Sequence, residues 1–347
     1  MRARLIRIAL CLLCIPPMVA ALAGWVVAPA FLHPIRRQLT PDLIREADAS
    51  FAASGGQKEE FNVRAADGTL LRGWMVRAPH SNGNWVLLFH GVADNRMGVI
   101  GQSEFLIRAG YNVVMMDARA HGASEGTIAT YGWLERNDTR AVIDALVLNE
   151  VARYTETQVR SVNWKVERTS ERNWQKLFPT GTPQAGKPRH IFALGESMGA
   201  GISLQSAAVD PRIEGVVAEA AFANLREASY DYAGLRRAPF LGKTLMRPFS
   251  WTLLAHGKKL TGYPIEDVSS VKAVAIRPFP VLLICDEDDE ALPCRHTRQI
   301  YTAATGPKEF WMAPGAFHTG AIGIQPAEFE RRVLEFYANV AAGKPVQ

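Results

Sequence analysis

The chain has 347 residues, 48% of them apolar and 21% charged, with a formal net charge of +5. That balance describes one large globular domain, or one domain carrying insertions, whose core is big enough to need no disulfide framework. The four cysteines do not resemble a zinc ligand set, which sets aside a metal-built fold.

The first segment stands apart. Arg2, Arg4 and Arg7 precede an apolar run from Ile8 to Leu32, and Pro34, Arg36 and Arg37 follow it. About 20 apolar residues suffice to cross a bilayer, so residues 1–37 read as an N-terminal membrane anchor. Ala21-Leu22-Ala23 resembles a signal-peptidase site, but the apolar run continues well past it, which favours a retained span. Arginines flank both ends, so charge fixes no orientation; the expected arrangement exports the catalytic domain.

Residues 38–347 form the second unit. A short helix lies between Gln38 and Gly56, and a hairpin follows from Glu60–Arg64 and Leu70–Val76 around Asp67-Gly68. Trp85–Phe89 is a continuous apolar run, as in a strand covered on both faces, and ends in His90-Gly91. A helix over 97–109, a strand over 111–116 and a helix over 133–151 come next. Further strands are expected at 191–194, 215–219, 281–284 and 309–312, and an amphipathic helix at 326–342 presents Phe329, Val333, Phe336 and Val340 on one face. Strands alternating with helices imply a mainly parallel sheet with helices on both sides.

Two stretches break the alternation. Residues 153–189 form a polar insertion with eight Lys/Arg against three Glu. Residues 224–270 are rich in Leu, Phe and Trp, carry no acidic residue from Gly234 to Tyr263, and read as a helical cap. The basic excess shows no nucleic-acid recognition motif, so no nucleic-acid partner is expected; anionic headgroups beside an anchor, or a merely solvated face, explain it better. The apolar cap suits the acyl chain of a small-molecule substrate as well as plain packing.

Chemistry concentrates around Gly195-Glu196-Ser197-Met198-Gly199, which follows an apolar strand and opens a helix. A G-x-S-x-G turn between strand and helix lifts a serine hydroxyl clear of the sheet, so Ser197 is the candidate nucleophile. Five carboxylates, Asp286 to Glu290, end the 281–284 strand, and Gly315-Ala-Phe-His318 follows the last strand. His318 is the candidate base. His90, His121 and Asp117 read as loop-holding residues, and Cys285 and Cys294 are placed where a disulfide could form.

Five motifs in order, His90-Gly91, Asp117-x-Arg-x-His-Gly-x-Ser124, Gly195–Gly199, the acidic turn before Pro293 and Gly315-x-x-His318, resemble the α/β-hydrolase superfamily. The similarity is to its esterase, lysophospholipase and serine-aminopeptidase-like branch. It implies an α/β-hydrolase fold and a Ser-His-Asp triad whose acid lies four residues before the proline, Asp289, with Asp288 as runner-up. It also implies an oxyanion hole from the amides of Val92 and Met198, and no cofactor. Cys285 and Asp286 depart from the family's usual His-Gly. The expected activity is hydrolysis of a carboxylic ester or thioester through an acyl-enzyme. A serine aminopeptidase, an acyltransferase and a silent binding protein on the same fold are the alternatives.

Overall fold

The computed structural model describes residues 2–162, 187–232, 240 and 244–346. A long helix, α1 (Arg2–Leu32), comes first. It is followed by α2 (Pro41–Ser54), which Thr40 caps by accepting the Leu43 N–H and which Gly55 ends in a left-handed turn at φ 75°. The hairpin forms as expected. β1 (Gln57–Arg64) pairs antiparallel with β2 (Leu70–Arg77), and Asp67 closes the turn by accepting the Thr69 N–H.

The remaining strands are β3 (Trp85–Phe89), β4 (Asn112–Met116), β5 (Ile191–Glu196), β6 (Ile213–Glu219), β7 (Val281–Asp286) and β8 (Lys308–Ala313). They complete one sheet in the order β1-β2-β4-β3-β5-β6-β7-β8. Only β2 runs against its neighbours; from β4 to β8 every pairing is parallel. β3, β5 and β7 are apolar almost throughout because each is covered on both faces, where no polar alternation is tolerated.

On one face lie α2, α3 (Ile100–Arg108) and the C-terminal helix. Phe105, Phe192, Phe329, Phe336 and Tyr337 pack there without solvent access. The Tyr337 hydroxyl, sealed in that layer, donates to the Ala193 carbonyl at 2.9 Å, which satisfies it and fixes the helix against β5. The other face is covered by α4 (Glu135–Val162) and α5 (Met198–Val209), through side chains such as Ile143 and Leu204. α5 is buried on nearly all sides, which explains why its sequence shows no polar stripe.

α4 is longer than the 133–151 expectation. It runs on into the basic insertion, through Tyr154-Thr-Glu-Thr-Gln-Val-Arg160, a stretch with neither Gly nor Pro to stop it. The rest of the insertion, 163–186, lies outside the described residues. In the cap, α6 (Leu225–Tyr232), α7 (Arg247–Thr261) and, at its end, α8 (Ser270–Ile276) are helical as expected; Leu235 and Leu241 lie outside the described residues. α9 (Arg295–Ala303), α10 (Ala321–Ile324) and α11 (Pro326–Ala341) complete the chain.

α1 is long and apolar enough over Cys14–Leu32 to cross a membrane. Its second half also packs on the protein. Ala28 and Leu32 are fully buried with Leu253 and Leu254 of α7, while Met18, Leu22 and Val26 on the opposite side stay exposed.

Candidate active site

The parallel strands all point their carboxyl ends at one edge of the sheet, the edge where open α/β sheets build their sites. β5 reaches it and turns sharply into α5. Ser197 sits on that turn with φ 52° and ψ −115°, a strained backbone for a residue with a side chain. The strain is held by close packing. A Cβ on Gly195 would collide with the backbone of Gly199, and one on Gly199 with the Phe89 carbonyl, so both positions demand glycine. The Ser197 N–H donates to the Glu219 carbonyl at 2.9 Å, tying the turn to β6.

His318 reaches the serine from the loop after β8. Its Nε2 lies 2.9 Å from Ser197 Oγ, and its Nδ1 lies 2.7 Å from Asp289 Oδ2. The other oxygen of Asp289 accepts the Ala291 and Leu292 N–H groups at 2.7 and 2.8 Å, which fixes the carboxylate's orientation. Asp288 is exposed on the same turn and makes no bond to His318; its N–H donates to the Ala316 carbonyl. Of the two candidate acids, Asp289 is therefore the one the fold brings to the histidine. Cys285 and Cys294 are paired as a disulfide, with Cα atoms 5.3 Å apart, so the segment that carries Asp289 is closed at both ends.

Val92 and Met198 line a narrow cleft of about 280 Å³ together with Ser197, Phe222, Leu225 and Leu292. Met198 is the first residue of α5, where a backbone N–H has no acceptor within the helix. The outer side of Asp289 and His318 opens instead into a wide bowl of about 1,340 Å³, rimmed by Asp231, Glu287, Asp288 and Glu290. Asp231 belongs to α6 and is bound by Arg295 and His296, which fastens the cap to α9.

The supporting residues keep to structural work. His90 donates from Nδ1 to the Gly91 carbonyl at 2.7 Å and accepts the Ala118 N–H on Nε2 at 3.0 Å, so it is neutral, and burial lowers its pKa accordingly. It joins the ends of β3 and β4. Burial alone would raise the pKa of Asp117, but the Arg96 guanidinium on both its oxygens holds it below the usual range. His121 binds the Arg119 carbonyl through Nδ1.

Beneath the histidine loop lies a set of carboxylates whose role no motif announces. Asp286 Oδ2 accepts the Thr319 N–H at 2.8 Å, and Glu219 Oε1 accepts the Ala321 N–H at 2.9 Å. Their other oxygens are buried without a hydrogen-bond partner, the two side chains interact, and the charge of Glu196 is felt there as well. Burial pushes Asp286, Glu219 and Glu196 each up to about 8; the charge of Glu219 adds to the rise at Asp286, that of Glu196 to the rise at Glu219, and that of Asp94 to the rise at Glu196. Two carboxyl groups buried this close favour a state in which one of them keeps its proton. Glu196 stands inside the serine motif and Asp286 inside the acidic turn, so both were in view in the sequence; Glu219 gave no signal. Among the described residues no cluster of His, Cys, Asp or Glu is arranged to hold a metal ion.

Comparison with known proteins adds a family to this geometry. The uncharacterized protein YqkD of Bacillus subtilis is 26% identical over 291 residues, 82% of this chain and 80% of its own length. Among solved structures, the Pyrococcus furiosus esterase PF2001 aligns with a TM-score of 0.61 at 20% identity, covering 88% of this chain and 98% of that one. A Mycobacterium tuberculosis puromycin-hydrolyzing peptidase aligns with a TM-score of 0.58 at 12% identity, covering 83% of this chain and 40% of its own. Residues 47–247, which include Val92, Ser197 and Met198, match the X-Pro dipeptidyl-peptidase (S15 family). With more than half its length so matched, the chain is a hydrolase of the α/β-hydrolase superfamily and belongs to the X-Pro dipeptidyl-peptidase (S15) family.

Proposed function

We propose that the protein is a serine hydrolase that cleaves a carboxylic ester or thioester with a small apolar acyl group. The observation that carries the reading is the continuous relay from Asp289 Oδ2 through His318 to Ser197 Oγ, at 2.7 and 2.9 Å. Ser197 Oγ attacks the carbonyl carbon while its proton passes to His318 Nε2. The amides of Val92 and Met198 receive the oxyanion, and Asp289 holds the imidazolium that forms. His318 then protonates the leaving alkoxide or thiolate as the carbonyl bond re-forms. Water, deprotonated by His318, attacks the acyl-enzyme and releases the acid. The chain supplies every group these steps need, and no cofactor is invoked.

A second reading rests on the acidic bowl. Glu287, Asp288 and Glu290 at its rim suit a substrate whose amine is positively charged, so an amide with a free amino terminus is the competitor, in keeping with the peptidase family. For location, α1 acts as a single retained anchor, and the Cys285–Cys294 bond favours a catalytic domain on the exported, oxidising side.

The test is fluorophosphonate labelling of the full-length protein in detergent, followed by p-nitrophenyl esters of increasing chain length beside aminoacyl p-nitroanilides. Labelling should disappear in Ser197→Ala and slow greatly in His318→Ala, with esters turned over faster than anilides. A folded wild type that neither labels nor cleaves either series rules the mechanism out. Preference for anilides with a free amine moves the second reading ahead.

A further inference from the structure

We propose that Phe31, carried by the N-terminal helix, forms a wall of the acyl cleft and sets the length of chain the enzyme accepts. The assignment rests on the proposed serine mechanism and adds a specificity residue to it. Phe31 lines the same cleft as Ser197, Val92 and Met198, although it lies 61 residues before the first of them in the sequence, near the end of the apolar N-terminal helix.

Its position is built, not incidental. The Phe31 ring stacks on Tyr131 with centroids 4.6 Å apart and planes 17° from parallel, and the Tyr131 hydroxyl donates to the Phe31 carbonyl at 2.7 Å. One residue on, the Leu32 carbonyl accepts the Ala129 N–H at 2.9 Å, and the Leu32 side chain is fully buried beside Met198 and Phe222. Arg36 then donates to the carbonyls of Ser124 and Gly126, each at 2.7 Å. Further up, a Cβ on Gly24 would collide with the Phe249 carbonyl of α7, so the two helices touch backbone to backbone. Thr252 donates to the Ala21 carbonyl at 2.7 Å, and His256 stacks on Trp25 at 3.8 Å. Contacts above and below Phe31 thus fix the rotation and depth of the helix and hold its backbone beside the cleft.

The cleft these side chains enclose is narrow and lined almost wholly by apolar residues, so short acyl groups should fit best. Removing the ring opens space along the chain's path without touching the serine, the histidine or the acid.

The experiment is a p-nitrophenyl ester series from acetate to decanoate, run on full-length wild type, Phe31→Ala, Phe31→Leu and Phe31→Trp, with the fluorophosphonate labelling rate read on each. Wild type should prefer the short esters. Phe31→Ala should raise kcat/KM for octanoate relative to butyrate by roughly tenfold or more, the scale expected when an apolar pocket gains or loses room for a methylene group or two. Phe31→Leu, which keeps an apolar contact with Tyr131 and guards against simple misfolding, should give a smaller shift the same way. Phe31→Trp should shift preference towards acetate, while a small ethyl fluorophosphonate still labels Ser197 in all of them, which shows that each variant is folded. Chain-length profiles that remain parallel to wild type in Phe31→Leu and Phe31→Trp, with labelling intact, overturn the assignment of Phe31 and leave the serine mechanism standing. A wild type that does not label at Ser197 overturns both.

Discussion

Asp286 and Asp289 sit three residues apart on one turn and meet opposite surroundings. Asp289 accepts hydrogen bonds from His318 and from two backbone N–H groups, so each oxygen faces a donor. Asp286 accepts one backbone N–H and turns its second oxygen on the buried Glu219. Donors on both oxygens fix a carboxylate's orientation, whereas burial beside another carboxyl group raises the pKa. The first aligns the histidine ring; the second, with Glu219, holds the backbone on either side of Gly320 and so carries the loop on which that ring is mounted. Position on a turn decides less than which neighbours the sheet brings up.

The largest effect that would sharpen this contrast is at Asp289. Asp289→Asn should lower kcat by about 10⁴, as expected when the orienting acid of a triad loses its charge and the histidine settles in the wrong tautomer. If Asp286→Asn proved the more damaging of the two, the roles drawn here would be exchanged. Asp286→Asn keeps an acceptor for Thr319 and a donor for Glu219, so it should cost only about tenfold in kcat, near 1.4 kcal/mol. The wild type should lose activity as pH rises through about 8, where Asp286 and Glu219 would both have to ionise under the loop, and the variant should lack that alkaline limb. A pH–rate profile unchanged by the substitution would remove the retained proton from the account.

Stability offers a second comparison. A carboxyl whose pKa is raised on folding binds its proton more tightly in the native state, so its contribution is fully present below the unfolded value near 4 and is lost as pH rises towards the folded value near 8. Over that window each such group can erode stability by up to about 1.4 kcal/mol per pH unit. Melting temperatures of wild type and Glu219→Gln from pH 5 to pH 8.5 should therefore diverge, with the variant falling less steeply. The smallest effect belongs to Asp288. Exposed and off the histidine, Asp288→Asn should change kcat/KM for a neutral ester by less than about threefold, a surface-sized perturbation.

Much of this site was legible in the sequence because its chemistry is local. The strand, turn and helix around Ser197 occupy consecutive residues, and the glycines flanking it are required by contacts within the same few turns of chain. The family resemblance pointed to Asp289, four residues before Pro293, and it is the Asp289 carboxylate that lies 2.7 Å from His318 Nδ1. What stayed hidden depends on residues that meet only in the folded chain. Asp286 read as a surplus charge on the acid turn, because its partner Glu219 comes from another strand. Phe31 read only as part of the apolar anchor run, since such a run looks the same whether it meets acyl tails or a core. The extra turns of α4 were missed for a different reason: the polar composition of 153–189 read as an insertion that follows the helix, though nothing in 153–162 breaks a helix.

The docking of α1 onto α7 also has a consequence in time. Trp25 and His256 are separated by 231 residues, so the helix made first finds its partner only after most of the chain has been synthesised. Contacts that span so much sequence form late, because the closure entropy of the whole intervening loop must be met before they return anything. The sheet and the Ser197, His318 and Asp289 side chains it positions can therefore assemble before the cleft acquires its last wall. A newborn molecule in that interval would already hold Ser197 on its turn and not yet the wall proposed to select its substrate.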